Sequence, residues 1–276
     1  MILTINDTLI VAGKTNVGCV RHLNEDSLCI DKELGLLIVA DGMGGHQSGE
    51  KASKQVIETV RASLKAALDT VPQEAIHSAP HQPQDLSGSD DETTLDDIPN
   101  PVIAMVRNAA NLANTVINDS NRQQSCAEGT GMGSTLVGLW LPPFSEVPVI
   151  FHVGDSRLYL FRESRMSQLT QDHSMYQRWV NLGRKGPAPA RNILLQAVGP
   201  TEHITSDIRF KEMFRGDVVL LCSDGLTSMV STENIHAVLS IAQEDNLEEV
   251  ADQLIELARE GGGKDNITVI VGLFIK

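Results

Sequence analysis

An aspartate stands at the end of several strongly apolar segments, and this arrangement limits what the chain can fold into. In IVADGMGGHQSGE, residues 38–50, an apolar run ends at Asp41, and three of the next four residues are glycine. Asp155 follows VIFHVG, Asp224 follows VVLLCS, and Asp265 precedes NITVIV. A single Asp-Gly pair usually marks a turn, but four carboxylates at the edges of strands can meet at one rim of a sheet. Converging carboxylates repel one another unless cations lie between them.

Alternating apolar runs and helical periodicity predict an interleaved set of strands and helices. The predicted strands are residues 34–41, 134–141, 147–155, 156–163, 217–225 and 266–275. The predicted helices are residues 49–68, 101–123 and 246–263. The runs at 34–41 and 217–225 are almost continuously apolar, which is typical of strands buried on both faces. Because strands also occur in adjacent pairs, the pattern favours sheets packed on each other with helices outside.

Charge and cysteine content exclude several classes of protein. The chain of 276 residues has a formal net charge of −14, which disfavours binding to nucleic-acid phosphates. Its four cysteines show no CxxC spacing, so we expect reduced thiols rather than a zinc site or disulfides. No secretory signal pattern and no run of eighteen apolar residues is present, so we expect no membrane span. These features predict a cytoplasmic protein, and its length allows a single domain, residues 1–276.

Residues 71–100 differ in composition from the rest of the chain. They contain seven acidic residues and neither lysine nor arginine, and Pro, Ser, Gln and Asp dominate them. This composition predicts a disordered acidic insertion between two helices. The alternative, a cation-binding loop in SDDETTLDD, lacks the spacing and the glycine of a calcium loop.

The residues around Asp41 suit a divalent cation and a phosphate. Hard divalent ions take oxygen ligands, and Gly42 leaves room for its backbone carbonyl to approach an ion. The segment VRHLNEDSL places Arg21 four and five residues before Glu25 and Asp26. A guanidinium group binds phosphate oxygens through two parallel N–H groups. The alternative is that these three charged residues form a surface salt bridge in a loop.

Seven motifs occur in order between residues 21 and 271. They are RHLNED, VADGMGG, GMGSTLVG, VGDSRLYL, LTQDHS, LLCSDGLT and GGKDNITVIV. This ordered set resembles that of the metal-dependent protein phosphatases (the PPM family, type 2C serine/threonine phosphatases) in their bacterial form, and it covers nearly the whole chain outside 71–100. The resemblance implies an α+β fold, a four-layer α-β-β-α sandwich of two antiparallel sheets flanked by helices.

The resemblance also implies a centre of two Mn²⁺ or Mg²⁺ ions at one end of the sandwich. In such a centre Asp41 bridges both ions, and the Gly42 carbonyl binds one of them. Asp224 and Asp265 hold one ion, while Glu25 helps to hold the other, partly through water.

Further residues are implied for a third ion, for water and for phosphate. Asp155, together with Asp224, is similar to the positions that hold a third, weaker metal in bacterial relatives. Asp26 orients the attacking water, and Arg21 offsets charge on the phosphate oxygens. The implied activity is hydrolysis of phosphoserine and phosphothreonine in proteins by a metal-activated water. Implied partners are phosphoprotein substrates and a bacterial Ser/Thr kinase that the enzyme opposes, and the implied oligomeric state is a monomer.

Two segments near the implied centre leave alternatives open. Many eukaryotic members have a histidine directly after the Asp-Gly pair, but this chain has Met43, so either His46 or metal-bound water protonates the leaving group. Residues 173–199 fall where the family has a flap beside the active site, and we call them the flap segment. Its basic residues Arg184, Lys185 and Arg191 either guide phosphopeptides or belong to a surface loop with scattered charge.

Two other functions fit parts of the sequence. A catalytically silent member of the family would serve as a binding or regulatory module, yet no implied metal carboxylate is missing. Without the resemblance, a divalent-cation-binding protein with no catalysis is the alternative, and Arg21 beside Glu25 and Asp26 argues against it.

Overall fold

Two antiparallel sheets pack face to face, and helices cover both outer faces. The computed structural model describes residues 2–44, 48–70, 100–145 and 147–276. Each sheet has six strands, so the predicted four-layer α-β-β-α sandwich is confirmed. The strands are β1 (Leu3–Ile5), β2 (Leu9–Asn16), β3 (Asp26–Asp31), β4 (Leu36–Met43), β5 (Gly133–Ser134), β6 (Leu136–Trp140), β7 (Val149–Val153), β8 (Arg157–Arg162), β9 (Arg165–Gln168), β10 (Asp207–Phe210), β11 (Val218–Cys222) and β12 (Ile267–Phe274).

The first sheet has the strand order β1-β2-β12-β11-β8-β9, and the second has the order β10-β7-β6-β4-β3. The short strand β5 pairs with β4 beside this second path. The helices are α1 (Ser48–Thr70), α2 (Pro101–Gln123), α3 (Met175–Asn181), α4 (Asp224–Thr227), α5 (Thr232–Leu239) and α6 (Leu247–Glu260). Helices α1 and α2 cover the second sheet, while α5 and α6 cover the first.

The continuous apolar runs predicted as strands are buried on both faces. In β4, Leu36 and Ile38 pack into the core beneath α1 and α2, whereas Leu37 and Val39 point into the core between the sheets. Strand β11 behaves in the same way between α5/α6 and the inter-sheet core. Since both faces of these strands exclude water, the sequence shows an unbroken apolar run in place of alternation.

Helices lie close to where their periodicity predicted them. Helix α2 covers the predicted range 101–123, and the Asn100 side chain accepts hydrogen bonds from the backbone N–H groups of Val102 and Ile103 at its start. The insertion predicted over 71–100 lies outside the described residues, apart from Asn100. Among the residues that the structure describes, no helix is both long and apolar enough to cross a bilayer.

Candidate active site

Carboxylates from both sheets meet at one end of the sandwich. Asp26 opens β3 and lies directly opposite Asp41 near the end of β4 in the antiparallel register. On the other sheet, β11 ends just before Ser223, whose hydroxyl donates a hydrogen bond of 2.7 Å to Asp26 Oδ2. Asp224 opens α4 and lies within hydrogen-bonding reach of Asp41. The two sheets therefore bring together acidic residues that are almost 200 positions apart in the chain.

We call the residues at this end the carboxylate cluster. Its members are Glu25, Asp26, Asp41, Asp155, Asp224 and Asp265. The negative charges of Asp26, Asp224, Asp155 and Asp265 all act on Asp41. Glu25 is linked to the group through Arg21, whose guanidinium also contacts Asp265. All six acidic residues predicted from the sequence thus lie in one place.

Two glycines leave the space that the backbone and the side chain of Glu25 occupy. A Cβ atom on Gly42 would lie 2.5 Å from the Glu25 carbonyl oxygen and would collide with the Gly49 carbonyl. A Cβ atom on Gly49 would lie 2.5 Å from Glu25 Oε1. Only glycine therefore fits at either position, since real Cβ atoms do not approach so closely.

Asn266 holds the loop that carries Glu25. Its side-chain oxygen accepts a hydrogen bond from the Glu25 backbone N–H at 2.8 Å. Its amide group donates to the carbonyls of Val17 and Leu23 at 3.0 and 2.9 Å. With these three hydrogen bonds, the Asn266 side chain fixes the loop of residues 17–25 against the start of β12.

Two buried carboxylate oxygens in the cluster have no hydrogen-bond partner. They are Glu25 Oε1 and Asp26 Oδ1, from residues that are only 9% and 6% exposed. A buried oxygen of this kind is costly unless a donor or a cation satisfies it. Because oxygen-rich, carboxylate-lined sites are what Mn²⁺ and Mg²⁺ prefer, the residues present fit a divalent-cation centre.

Burial and mutual repulsion raise the pKa values in the cluster. Burial raises the pKa of Asp26 to about 7, although hydrogen bonds from Ser223 and Thr268 oppose the shift. Burial first, and then repulsion from Asp26, raises the pKa of Asp41 well above its usual range. The pKa of Asp224 is raised by burial and by Asp265. Without cations, these carboxyl groups resist carrying their full charge together.

Asp155 reaches the cluster from the turn between β7 and β8. Burial raises its pKa to about 7, and repulsion from Asp224 and Asp172 adds to the shift, whereas Arg157 opposes it. The Arg157 guanidinium binds both carboxylate oxygens of Asp172, at 2.8 and 2.6 Å. A bidentate ion pair therefore ties Asp172 to Arg157 at the start of β8.

Arg21 lies at the mouth of the cluster and is 47% exposed in its side chain. Its Nη2 is 2.8 Å from Asp265 Oδ2, and its Nη1 is 3.9 Å from Glu25 Oε2. The salt bridge considered as an alternative is thus present only as the long Arg21–Glu25 contact, and the closer partner of Arg21 is Asp265. The guanidinium has further N–H groups with which to bind an anion.

The flap segment starts and ends next to the cluster. At its start, the His173 backbone N–H donates to the Gly154 carbonyl at 2.8 Å, directly before Asp155. At its end, Val198 pairs with Ser134, whose hydroxyl donates to the Asp41 carbonyl at 3.0 Å. The flap segment therefore begins beside Asp155 and ends beside Asp41, two of the cluster's carboxylates.

Sequence reasoning missed several residues that orient the cluster. Ser223 and Asn266 are among them, and so is Thr135, whose hydroxyl accepts the Asp41 backbone N–H at 2.9 Å. Ser223 and Asn266 are each next to a predicted metal ligand in the chain, and this adjacency is the one feature of the sequence that could have identified them. His46, one of the two proton donors considered for the leaving group, lies outside the described residues.

A second group of potential metal ligands lies beside the cluster. Among the described residues, His152, His173 and Asp207 each offer one ligand atom that lies within 4.8 Å of the other two. They form a group separate from the predicted ligands, on β7, at the start of the flap segment and on β10.

The chain is similar to several known proteins. The profile of the family described as protein phosphatase 2C matches residues 21–262. The serine/threonine protein phosphatase PstP of Mycobacterium tuberculosis is 35% identical over 265 residues, which are 94% of this chain and 44% of that protein. The serine/threonine phosphatase stp of Listeria innocua is 32% identical over 267 residues, which are 94% of this chain and 93% of that protein.

A solved structure extends the similarity to three dimensions. The catalytic domain of PstP, in complex with two manganese ions, matches with a TM-score of 0.74 and 32% identity. The match covers 98% of this chain and 99% of that chain. This chain thus spans less than half the length of full PstP and essentially all of its catalytic domain.

Proposed function

The chain belongs to the protein phosphatase 2C family, and we propose that it hydrolyses phosphoserine and phosphothreonine esters in proteins. The observation that carries this proposal is the meeting of six acidic residues with two buried oxygens, Glu25 Oε1 and Asp26 Oδ1, that lack a hydrogen-bond partner. An acidic site of this kind needs cations, and the mouth of the site carries an arginine suited to phosphate.

We propose that the cluster holds two Mn²⁺ or Mg²⁺ ions. Asp41 and the Gly42 carbonyl would contact them from β4, Asp224 from the start of α4, Asp265 from the loop before β12, and Glu25 from the loop before β3. Asp155, with Asp224, would hold a third, weaker ion. When bound, such cations would lower the pKa of water so that hydroxide is available to attack phosphorus at neutral pH. They would also offset the charge on the phosphoryl oxygens.

Asp26 is suited to handle the proton of the attacking water. Its Oδ2 is fixed by the Ser223 hydroxyl, which itself accepts the Thr268 backbone N–H at 3.0 Å and so has a defined direction. Its Oδ1 is left as the acceptor for a water proton. In its carboxylate form Asp26 can accept that proton as a general base.

Arg21 is suited to hold the phosphoryl group while the bond changes. Water forms a new bond to phosphorus, the bond to the serine or threonine oxygen breaks, and that oxygen takes up a proton. The products are inorganic phosphate and a free hydroxyl group. Met43, partly exposed beside Gly42, has no proton to give, so the proton of the leaving group comes from His46 or from water.

The proposal extends to partners and location. A Ser/Thr kinase would supply the phosphorylated proteins that this enzyme acts on, and the protein would work as a monomer in a bacterial cytoplasm. The four cysteines are free thiols, which supports a reducing compartment. A catalytically silent member of the family is the alternative function, and it would be expected to lack one of the cluster's carboxylates.

A turnover experiment tests the activity directly. Purified protein is incubated with a phosphothreonine peptide and MnCl₂ or MgCl₂, and released phosphate is measured. We expect turnover that requires the divalent ion and is abolished by EDTA. The D41N variant, measured in parallel, controls for a contaminating phosphatase. Absence of turnover at every metal concentration would favour the silent module.

A further inference from the structure

Two stacked histidines and an aspartate lie beside the carboxylate cluster, and the proposed reaction does not use them. His152 in β7 lies opposite Asp207 in β10 in the antiparallel register. The His173 ring stacks on the His152 ring with a centroid distance of 4.5 Å and an interplanar angle of 26°. His173 Nε2 is 3.5 Å from Asp207 Oδ2.

Hydrogen bonds assign the protons of both rings. The Gly154 backbone N–H donates to His173 Nδ1 at 3.2 Å, so this nitrogen presents a lone pair. In the neutral ring the proton is then on Nε2, which faces the Asp207 carboxylate. His152 Nε2 lies 2.8 Å from the Gln171 carbonyl oxygen, which can only accept, so His152 also carries its proton on Nε2.

This arrangement argues against a metal ion held by the three side chains. Their spacing is compatible with a tetrahedral ion, but a ligand nitrogen must offer a lone pair. The Nε2 atoms of His152 and His173 are both hydrogen-bond donors. Moving the His173 proton to Nδ1 would point it at the Gly154 N–H, and a hydrogen bond would be replaced by repulsion.

His173 holds the peptide groups on both sides of Gly154. The ring nitrogen Nδ1 accepts from the Gly154 N–H, and the His173 backbone N–H donates to the Gly154 carbonyl at 2.8 Å. Gly154 has a φ angle of +107°, and a Cβ there would lie 2.7 Å from Thr135 Cγ2. Such a turn needs outside contacts to keep its shape, and the residue that follows is Asp155.

A second contact joins the same two segments. Arg157, two residues after Asp155, binds both oxygens of Asp172, the residue before His173. Residues 154–157 and 172–173 are therefore joined by two hydrogen bonds and a bidentate ion pair. Asp207 and His152 hold the His173 ring from its Nε2 side and from its face.

We propose that His173 is a positioning residue for Asp155. Its neutral ring, with the proton on Nε2 toward Asp207, accepts the Gly154 N–H and fixes the turn that directs the Asp155 carboxylate into the cluster. His173 acts through the backbone and does not touch the substrate. The inference rests on the proposed function only in that Asp155 is taken to hold a weaker metal ion.

Three substitutions of His173 distinguish its hydrogen bond with Gly154 from its contact with Asp207. H173N places a side-chain oxygen near the Nδ1 position and keeps an acceptor for Gly154. H173Q places its polar group near the Nε2 position and loses that acceptor, and H173A loses both. H236N is the matched control, because His236 Nε2 contacts the Ser164 carbonyl in the β8–β9 hairpin, away from the cluster.

Metal dependence is the functional readout. For H173A and H173Q we expect the Mn²⁺ concentration at half-maximal activity to rise by roughly three- to ten-fold, the loss expected for one hydrogen bond. Their kcat at saturating Mn²⁺ should stay within about two-fold of the wild type. In H173N and H236N, both kcat and the Mn²⁺ concentration at half-maximal activity should stay within about two-fold of the wild type. If H173A and H173Q match the wild type at limiting Mn²⁺, the positioning role is wrong.

Two measurements do not depend on turnover. In the metal-free protein, ¹H–¹⁵N spectra of the histidine rings should show the His173 proton on Nε2, and a proton on Nδ1 would overturn the inference. By calorimetry, H173Q should weaken the weakest Mn²⁺ site of the wild type and have no further effect when D155N is already present. An equal effect in the D155N background would show that His173 does not act through Asp155.

The possible failures are distinguishable. If the wild type shows no turnover, the proposed function fails, while the ring spectra and calorimetry still test His173. If H173A unfolds, the comparison of H173N with H173Q, with thermal melts as a check, carries the test. A Zn²⁺ or Mn²⁺ site that is lost in H173A and D207A but kept in D155N would make the group a metal site and contradict the proposal.

Discussion

Asp26 and Asp41 face each other directly across two antiparallel strands, and both carboxyl groups are partly or wholly withdrawn from water. Like charges directly opposite in a sheet destabilise it, and burial adds to that cost. Burial raises the pKa of both groups, and repulsion adds to the shift, from Asp224 and Asp265 at Asp26 and from Asp26 at Asp41. The folded chain thus holds an electrostatic repulsion that divalent cations would remove.

The first prediction concerns the stability of the metal-free protein. Asp26 and Asp155 have folded-state pKa values of about 7, above the ordinary value of 3.8. Between these values the folded chain binds protons that the unfolded chain releases, so the free energy of unfolding falls as pH rises through about 7. In EDTA we expect a lower Tm at pH 8.5 than at pH 6.5, by roughly 3–6 °C.

Two controls accompany this measurement. D155N should reduce the pH dependence because one of the titrating groups is gone, and added Mn²⁺ should reverse the loss at pH 8.5. The comparison stays at or above pH 6.5 because His152, whose pKa burial lowers to about 4, destabilises the fold increasingly as pH falls through its usual value of 6.5. A metal-free Tm that rises with pH would contradict the assigned repulsion.

The second prediction separates catalysis from folding at Asp41. D41N and D224N should lower kcat by at least about a hundred-fold, because each removes a carboxylate on which the cation centre depends. Neither variant should unfold, and the metal-free Tm of D41N should rise because one repelling charge is lost. Near-wild-type rates in either variant would show that the site has been assigned to the wrong residues.

The third prediction concerns phosphate binding by Arg21. R21A should lower kcat/KM by roughly 10- to 100-fold, the range for lost hydrogen bonds to a charged group. Metal affinity should stay close to that of the wild type, because Arg21 contributes no ligand. R21K keeps the charge but not the planar pair of donors, so it should recover only part of the loss. Full activity in R21A would exclude the phosphate role.

The fourth prediction tests a residue that sequence analysis did not identify. Ser223 donates to Asp26 Oδ2 and accepts the Thr268 N–H. S223A should lower kcat by roughly ten-fold, since Asp26 loses the contact that orients it. S240A, at the exposed end of α5, is the control and should have no effect. A kcat in S223A equal to that of S240A would show that Ser223 does not orient Asp26 for catalysis.

The fold and the metal-ligand candidates were largely predictable because their signals are local. An apolar run such as LGLLIVAD is typical of a strand buried on both faces, and Asp41 follows this run near the end of β4. The ordered motifs supplied the layer arrangement, which strand counting alone did not give. The sheet order itself depends on pairings, such as β2 with β12, between opposite ends of the chain.

The supporting contacts were not predictable because they depend on long-range proximity. Ser223 meets Asp26 across 197 residues, and Asn266 meets Glu25 across 241 residues. Serine and asparagine are common next to aspartate in turns, so neither residue stands out in one sequence. The role of His173 likewise depends on Gly154, which only the folded chain brings near it.

The central claim is that the carboxylate cluster holds paired divalent cations. Anomalous diffraction from a crystal soaked in MnCl₂ tests this claim most directly. We predict two strong manganese peaks on either side of the Asp41 carboxylate, with the Gly42 carbonyl and Asp224 as further ligands. A fully soaked crystal with ordered side chains and no manganese peak at Asp41 would contradict the account.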